Sequence, residues 1–220
     1  MDALISFPKA GRTWLRVMLD DLGIEVAYSH AGSQHASGRP LEKLTTAEAR
    51  QYDRIVFLHR DARDTAVSGF YQKTLRRDGY DGTLSDFIRD PRHGLEKILH
   101  FNALWLKLAE TRGGMMVSSY EALQADTEAE LARIAAFLGA EVTAEQIAAV
   151  VAASRFEKMQ ARERAGAYAE RYGKALTPAD PSRPESFKVR RGKVGGYRDE
   201  LSAEDIAWCD ARVAAFRLPA

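Results

Sequence analysis

Short apolar runs alternate along this chain with segments of helical periodicity. The apolar runs are Leu4–Phe7, Ile24–Tyr28, Arg54–His59 and Met115–Tyr120, and each has the length of a buried β-strand. Strands that alternate with helices are typical of an α/β fold whose sheet is largely parallel. The pattern therefore predicts one domain over residues 1–220, a three-layer sandwich around a mainly parallel sheet.

The helices are predicted from apolar spacing and from capping residues. Leu15, Met18, Leu19 and Leu22 recur at i, i+3, i+4 and i+7, which indicates an amphipathic helix that Gly23 ends. Further helices are predicted from Ala62, from the Thr83 and Asp86 capping box, over Leu95 to Arg112, around Leu131 to Leu138, after Thr143 and after Ser202.

Periodicity weakens between residues 160 and 196, where Pro178, Pro181 and Pro184 fall close together. A compact domain seldom carries so long an irregular connection without a use for it. The sequence therefore predicts a lid or a long functional loop in this region.

Composition narrows the possible functions. The chain is 45% hydrophobic and 29% charged with a formal net charge of +1, which excludes disorder and offers no overall field that would attract nucleic acid or an acidic membrane. Cys209 is the only cysteine, and the longest apolar run, Ile147 to Ala153, is too short to span a bilayer. With no basic leader at Met1, we expect a cytoplasmic protein that meets anions through a local basic cluster.

Residues 7–14 offer the first such cluster, at the predicted junction of the first strand and helix. Gly11 lets backbone N–H groups approach an oxyanion, the helix N-terminus adds partial positive charge, and Lys9 and Arg12 add formal charge. This resembles a P-loop, but Lys9 precedes the glycine, whereas a Walker A lysine follows one. The segment predicts a P-loop-like phosphate-binding turn; the alternative is a plain turn with solvated basic residues.

Two later segments carry the same chemistry. Arg60 ends a buried strand, where open α/β sheets bind ligands, and Ser68 follows about two helical turns later. Residues 187–198 hold five basic residues, three glycines and no acid. For Arg60 the alternative is a set of solvated ion pairs with its acidic neighbours. For residues 187–198 the alternatives are a solvated basic loop and a nucleic-acid patch. A short basic segment in a chain of nearly equal positive and negative charge favours binding of one small polyanion.

Taken in this order, the segments resemble the sulfotransferases that use 3′-phosphoadenosine 5′-phosphosulfate (PAPS). Residues 8–14 look like that family's Pro-Lys-Ser-Gly-Thr-Thr-Trp loop for the 5′-phosphosulfate. Residues 60–68 look like its 3′-phosphate motif, and residues 190–198 are similar to its late Arg-Lys-Gly-x-x-Gly-Asp-Trp-Lys loop. More weakly, residues 120–121 resemble its Tyr-Glu-Asp and residues 154–159 its Thr-Ser-Phe-x-x-Met.

The resemblance implies sulfuryl transfer from PAPS to a hydroxyl or amine of a small-molecule, saccharide or lipid acceptor, which leaves adenosine 3′,5′-bisphosphate (PAP). Lys9 would stabilise the leaving phosphate oxygen. The cofactor-binding residues that it implies are Lys9, Ala10, Gly11, Arg12, Thr13, Trp14, Arg60, Ser68, Tyr120, Ser154, Phe156, Arg190, Arg191 and Gly192. Tyr120 and Phe156 fit equally well as core packing residues.

Several positions depart from the family pattern. Ala10 stands in place of a serine and Arg12 in place of a threonine, so phosphosulfate binding would depend more on the backbone and on a guanidinium. Gly196 and Tyr197 stand where Asp-Trp is usual, and no Lys-Thr-His segment, the usual carrier of the base, is evident.

A histidine is the expected general base, since its proton affinity suits neutral pH. His30 directly follows the second predicted strand, where the family's catalytic histidine lies, and His35 is the second choice. His59 falls within a buried strand, and His93 and His100 fall among helices without acidic neighbours.

Two other functions remain open from the sequence. A nucleotide-dependent phosphotransferase would use Asp61 as a magnesium ligand, and a non-catalytic nucleotide-binding module would keep the loops without the chemistry. The acceptor and the oligomeric state are not specified. We expect residues 69–94 and 161–185 to shape the acceptor pocket, with a wall of aromatic side chains from Phe70, Tyr71, Tyr80 and Tyr168.

Overall fold

The computed structural model describes residues 1–33, 41–76, 79–180 and 182–216. Within them, four strands form one sheet in the order β2-β1-β3-β4, and every neighbouring pair is parallel. The strands are β1 (Ala3–Ser6), β2 (Ala27–Ser29), β3 (Ile55–His59) and β4 (Met115–Ser119). The predicted α/β class with a parallel sheet is confirmed.

Helices cover both faces of this sheet. They are α1 (Arg12–Asp21), α2 (Ala62–Leu75), α3 (Leu84–Arg89), α4 (Leu95–Thr111), α5 (Tyr120–Ala125), α6 (Thr127–Phe137), α7 (Ala144–Ala153), α8 (Phe156–Arg164), α9 (Ala169–Tyr172) and α10 (Ala203–Ala215). Helices α2, α4 and α10 pack on one face and α1, α6 and α7 on the other. The molecule is therefore a three-layer sandwich.

The side-chain alternation of the central strands separates the two cores. Ile5 and Phe57 face α2 and α4, whereas Leu4 and Val56 face α1 and α6. Because both faces are covered, β1 is buried along its whole length, which explains why its sequence reads as a continuous apolar run. On the α4 side, Trp105 stacks on Phe57 with ring centroids 5.8 Å apart.

All four predicted strands are present, but each of their predicted ranges differs from the structure by one to three residues at an end, and capping explains two of the differences. The second strand covers Ala27–Ser29 rather than Ile24–Tyr28, because the Ile24 N–H donates to the Leu19 carbonyl at 2.9 Å and so ends α1. The fourth strand ends at Ser119, whose hydroxyl accepts from the Ala122 N–H and caps α5. Capping chemistry, which apolar patterning does not detect, sets both limits.

The region predicted to be irregular from residue 160 is partly helical. Helix α8 continues to Arg164, and α9 follows before the chain becomes irregular. Tyr168, Tyr172 and Leu176 pack with Val17 and Met159 in a third apolar cluster. This region is thus anchored by its own small core, and Tyr168 is one of the residues of that core.

The helix caps predicted from the sequence are confirmed. Thr83 with Asp86 and Thr143 with Gln146 form capping boxes at the starts of α3 and α7, and Ser202 caps α10. Cys209 is buried with a free thiol. Among the described helices, none combines the length and hydropathy needed to cross a bilayer.

The parallel sheet places the ends of all four strands at one edge. The segment after β1 contains Lys9, β2 is followed by His30, β3 by Arg60 and β4 by Tyr120. Carboxyl ends of parallel strands are the usual ligand-binding edge of an open α/β sheet. The topology alone therefore brings residues far apart in sequence to a common place.

Candidate active site

A cavity of about 460 Å³ opens at the carboxyl edge of the sheet. Its walls include residues from all three basic segments, namely 9–14, 60–68 and 188–197. Eight lysine and arginine side chains line it against three carboxylates. Such an excess of positive charge in a cleft favours a ligand with several negative charges.

Most of the residues predicted from sequence share this cavity. Its lining includes Lys9, Gly11, Arg12, Thr13, Trp14, His30, Arg60, Ser68, Tyr120, Ser154, Phe156, Arg190, Arg191 and Gly192. Ala10 does not line it: the residue is 1% exposed, and its N–H donates to the Phe7 carbonyl at 3.3 Å. The structure thus does not bring Ala10 together with the other predicted residues, and its contact with a cofactor stays a prediction. His35 lies outside the described residues.

The first turn has an unusual backbone. Lys9 has a φ of 75° and Gly11 a φ of 96°, both in the left-handed region that favours glycine. A Cβ at Gly11 would also come within 2.5 Å of the Tyr120 ring. Glycine at position 11 thus lets the turn approach the start of α5, and α1 begins with its N-terminus beside the cavity.

Lys9 is surrounded by other cations. Its Nζ donates to Gln72 Oε1 at 3.5 Å, and Lys188 Nζ donates to the same oxygen at 3.4 Å. Burial, followed by the charges of Lys188, Arg76, Arg190 and Arg60, lowers the pKa of Lys9 well below its ordinary value. A bound anion would offset this repulsion.

Buried donors without a protein partner lie in the cavity wall. Arg60 donates through Nη2 to the Lys193 carbonyl at 2.9 Å and lies 4.3 Å over the Tyr120 ring, yet its Nε has no hydrogen-bond partner in the described part of the chain. The same holds there for Arg12 Nη1 and Ser154 Oγ. Burial lowers the pKa of Arg12 to about 10. Buried polar groups normally find partners, so these donors mark a polar ligand site.

Aromatic side chains form another wall of the cavity. Trp14 and Tyr120 meet edge to face with ring centroids 5.9 Å apart, and the Trp14 indole N–H donates to the Ser154 carbonyl at 2.9 Å. Phe156 packs against Gly192, where a Cβ would lie 2.6 Å from the ring. These rings provide apolar surface suited to a planar base.

His30 is held in one tautomer. Its Nδ1 lies 2.8 Å from the Ser6 carbonyl oxygen, and because a carbonyl only accepts, Nδ1 carries the hydrogen. In the neutral ring the lone pair is then on Nε2, the form that a proton acceptor needs. The histidine is therefore oriented by the end of β1, the neighbouring strand.

Two buried carboxylates fix the late basic segment, and neither role was predicted from the sequence. Asp64 accepts the Gly195 and Tyr197 N–H groups at 2.8 and 2.9 Å. Glu163 accepts the N–H groups of Lys188 and Val189 at 2.6 and 2.9 Å. The only sequence signal was an acid one helical turn after Arg60, which reads as an ordinary surface pair.

Helix α2 presents one side to this segment. Asp64, Ser68, Gln72 and Arg76 recur every four residues, and side chains at that spacing share a helix face. Asp64 binds the late segment, Ser68 lines the cavity and Gln72 joins Lys9 to Lys188. Arg76 donates to the Ser186 and Thr177 carbonyls at 2.5 and 2.9 Å. One helix thus aligns the first and third basic segments.

The aromatic residues expected at an acceptor pocket do not line this cavity. Phe70 and Tyr80 pack with Phe87 in an aromatic cluster, with centroid distances of 4.9 to 6.4 Å. The Tyr71 ring lies 4.2 Å beneath the Arg190 guanidinium. The structure thus gives Phe70 and Tyr80 packing contacts and Tyr71 a contact with Arg190, and their role at an acceptor pocket stays a prediction.

Comparison with known proteins now identifies the family. Residues 35–214 match the family described as "Sulfotransferase domain". The chain belongs to the sulfotransferase family. Human Sulfotransferase 2B1 is 28% identical over 130 residues, which cover 57% of this chain and 35% of that protein. The match thus spans about a third of the length of this curated relative.

Solved sulfotransferase structures share the fold. Mouse sulfotransferase SULT7A1, complexed with PAP, superposes with a TM-score of 0.70 at 18% identity and covers 95% of this chain and 80% of its own. Retinol dehydratase complexed with retinol and PAP gives 0.66 at 17% identity, covering 99% and 83%. The same enzyme with androsterone and PAP gives 0.62 at 18% identity, covering 99% and 82%.

Replacement of Asp64 tests how this sulfotransferase holds its late basic segment. Asp64→Asn keeps the size but has one carbonyl acceptor instead of two carboxylate oxygens, so one loop N–H loses its partner. We expect the free energy of unfolding to fall by about 2 kcal/mol and amide exchange to rise over residues 192–197. Denaturant titration and hydrogen exchange measure the two effects.

Asp210→Asn is the matched control, because that carboxylate is half exposed and its ion pair with Arg63 does not involve the backbone of the late segment. It should change stability by less than about 0.5 kcal/mol. Equal effects of the two substitutions would contradict the role given to Asp64.

Proposed function

We propose that this chain transfers a sulfuryl group from PAPS to a hydroxyl or amine of an acceptor and releases PAP. The observation that carries the proposal is the convergence of the Lys9 turn, the Arg60 and Ser68 segment and the late basic segment on one cavity. Family membership supports it, as do similar structures described as PAP complexes. We further propose that all of residues 1–220 belong to this one domain.

The residues present fit PAPS. A doubly phosphorylated nucleotide needs many cationic or N–H donors, and the cavity has eight basic side chains together with the buried donors of Arg12, Arg60 and Ser154. Trp14, Tyr120 and Phe156 would hold the base, and Arg60, Ser68, Arg190 and Arg191 the 3′-phosphate. Thr13 and Gly11 would border the 5′ end, and Gly192 lets the late segment close on Phe156. When bound, PAPS supplies the activated sulfuryl group.

Lys9 is the residue that we propose to stabilise the negative charge that develops at the leaving phosphate oxygen. A preorganised cation in a water-poor site stabilises such charge far better than solvent does. Burial and the neighbouring cations lower the pKa of Lys9 and make its charged form costly before an anion arrives. The interaction between charged Lys9 and the nucleotide is therefore strongest when negative charge develops on the leaving phosphate oxygen.

His30 is the proposed general base. Its Nδ1–H bond to the Ser6 carbonyl puts the lone pair of the neutral ring on Nε2, the atom that would accept the proton of the acceptor. His30 also lines the cavity that Lys9 lines, as transfer between a donor and an acceptor requires.

The acceptor is proposed only as a class, a small molecule or a saccharide or lipid that carries a hydroxyl or an amine. Retinol dehydratase has been crystallised with androsterone and with retinol, which are small molecules, and this agrees with the proposal. A single buried cysteine agrees with a cytoplasmic location, which stays a prediction.

The phosphotransferase alternative would require Asp61 as a magnesium ligand. Instead, Asp61 caps α2 by accepting the Arg63 and Asp64 N–H groups, and it pairs with the Arg63 guanidinium at 2.5 Å. Its oxygens are thus already engaged. A non-catalytic module would bind PAP without consuming PAPS, which the next experiment detects.

The proposal is tested by incubating the protein with PAPS and a panel of phenols, alcohols, amines and saccharides, with and without Mg²⁺. We expect PAP formation and an acceptor mass increase of one SO₃, both independent of Mg²⁺, when read by mass spectrometry. PAP binding measured by calorimetry without any PAPS turnover across the panel would favour the binding module. Absence of PAP binding would refute the proposal.

Lys9→Met separates catalysis from stability. We expect kcat to fall by at least about 10²-fold while PAP still binds. The melting temperature should rise by about 2–4 °C at neutral pH, since a crowded cation is removed. Because the folded-state pKa of Lys9 is lowered, this gain is largest below that pKa and disappears as the pH rises to the ordinary lysine value.

Lys107→Met, at an exposed position of α4, is its control and should change neither quantity. Normal turnover by Lys9→Met would remove Lys9 from the mechanism.

His30→Gln tests the base. The amide still donates a hydrogen bond but takes up no proton at neutral pH, so kcat should fall by about 10²-fold or more and the acidic limb of the kcat/KM profile should disappear. PAP affinity should not change. His100→Gln on α4, outside the cavity, is the control, and an unaltered pH profile of His30→Gln would exclude this histidine as the base.

A further inference from the structure

An acidic side chain lies directly against the arginines that we assign to the 3′-phosphate. Glu200 lines the cavity, and its side chain is 4% exposed. Its Oε1 lies 2.8 Å and its Oε2 3.0 Å from Arg190 Nη1, and Oε1 lies 3.6 Å from Arg191 Nη1. Glu200 therefore occupies one edge of the Arg190 guanidinium, whose face lies on Tyr71.

Two effects of such a carboxylate oppose each other. As a hydrogen-bond acceptor, Glu200 orients Arg190, which helps phosphate binding. As a charge, it competes with phosphate for the same guanidinium and repels it at short range. Only the first effect survives in Glu200→Gln, because the amide oxygen still accepts from Arg190 Nη1.

The other acidic residues near these arginines have different surroundings. Asp64 pairs with Arg60 at 3.5 Å, but both of its oxygens already accept backbone N–H groups of the late segment, so its main role is structural. Asp199 pairs with Lys193 at 2.7 Å and with Arg191 at 3.7 Å, but its side chain is 42% exposed and solvent screens it. Among the three carboxylates, Glu200 alone combines burial with a direct contact to Arg190.

We propose that Glu200 acts as a competing carboxylate that weakens the hold of Arg190 and Arg191 on the 3′-phosphate and so speeds the release of PAP. The proposal rests on the cofactor site proposed above. Release of a tightly held product limits many enzymes, and eight basic side chains around one nucleotide favour tight retention. The buried carboxylate of Glu200 offsets part of the attraction between these side chains and the 3′-phosphate.

The test is PAP binding to the wild type, Glu200→Gln and Asp199→Asn, by calorimetry for Kd and by stopped flow for the dissociation rate. We expect Glu200→Gln to bind PAP about tenfold more tightly, mainly through slower dissociation, and Asp199→Asn to stay within about twofold of the wild type. Adenosine 5′-monophosphate, which lacks the 3′-phosphate, should bind wild type and Glu200→Gln equally.

Unchanged or weaker PAP binding by folded Glu200→Gln would overturn this proposal and leave the cofactor assignment intact. Equal tightening for the two nucleotides would also overturn it, since the effect would not involve the 3′-phosphate. No PAP binding by the wild type would refute the cofactor site itself. Glu200→Asp, which withdraws the charge from Arg190, should fall between the wild type and Glu200→Gln and serves if the glutamine variant does not fold.

Discussion

Repulsion between like charges is the constraint on which this site depends. Eight basic side chains line one cavity, and in isolation they would drive the loops that carry them apart. Asp64 and Glu163 prevent this by binding the late segment near its two ends, each through two backbone N–H groups. They hold the backbone and leave the cationic side chains of that segment to face a ligand.

The rest of the architecture serves the same end. The parallel sheet supplies the common edge, and α2 turns its Asp64, Ser68, Gln72 and Arg76 side toward the late segment. Gly11 brings the first turn against Tyr120. Burial and, after it, the neighbouring cations lower the pKa of Lys9, so its charged form remains costly in this fold. The crowded basic side chains lower the free energy of unfolding, and a bound anion would offset this cost and be held strongly.

Features that depend on residues close together in the chain could be predicted from the sequence. The strand-end positions of Lys9, Arg60 and Tyr120 follow from apolar runs and the parallel topology, and the capping boxes follow from residue spacing. The structure indeed places the three basic segments around one cavity. Their roles toward a cofactor remain proposals.

What escaped prediction depends on distant contacts. Asp64 contacts Gly195, and Glu163 contacts Lys188, only because the chain folds. The residues that flank Asp64 and Glu163 in sequence do not indicate a buried hydrogen-bond acceptor. The burial of Ala10, whose N–H donates to the Phe7 carbonyl within its own turn, was also not foreseen. The third apolar cluster around Tyr168 was missed because its partners, such as Val17, are far away in sequence.

The central claim is that three segments converge on one doubly phosphorylated nucleotide, and hydrogen exchange with and without PAP tests it most directly. The account predicts that saturating PAP slows exchange in residues 7–14, 60–68 and 187–197 together, with one PAP bound per chain. Protection of only one segment, or of none, would contradict it.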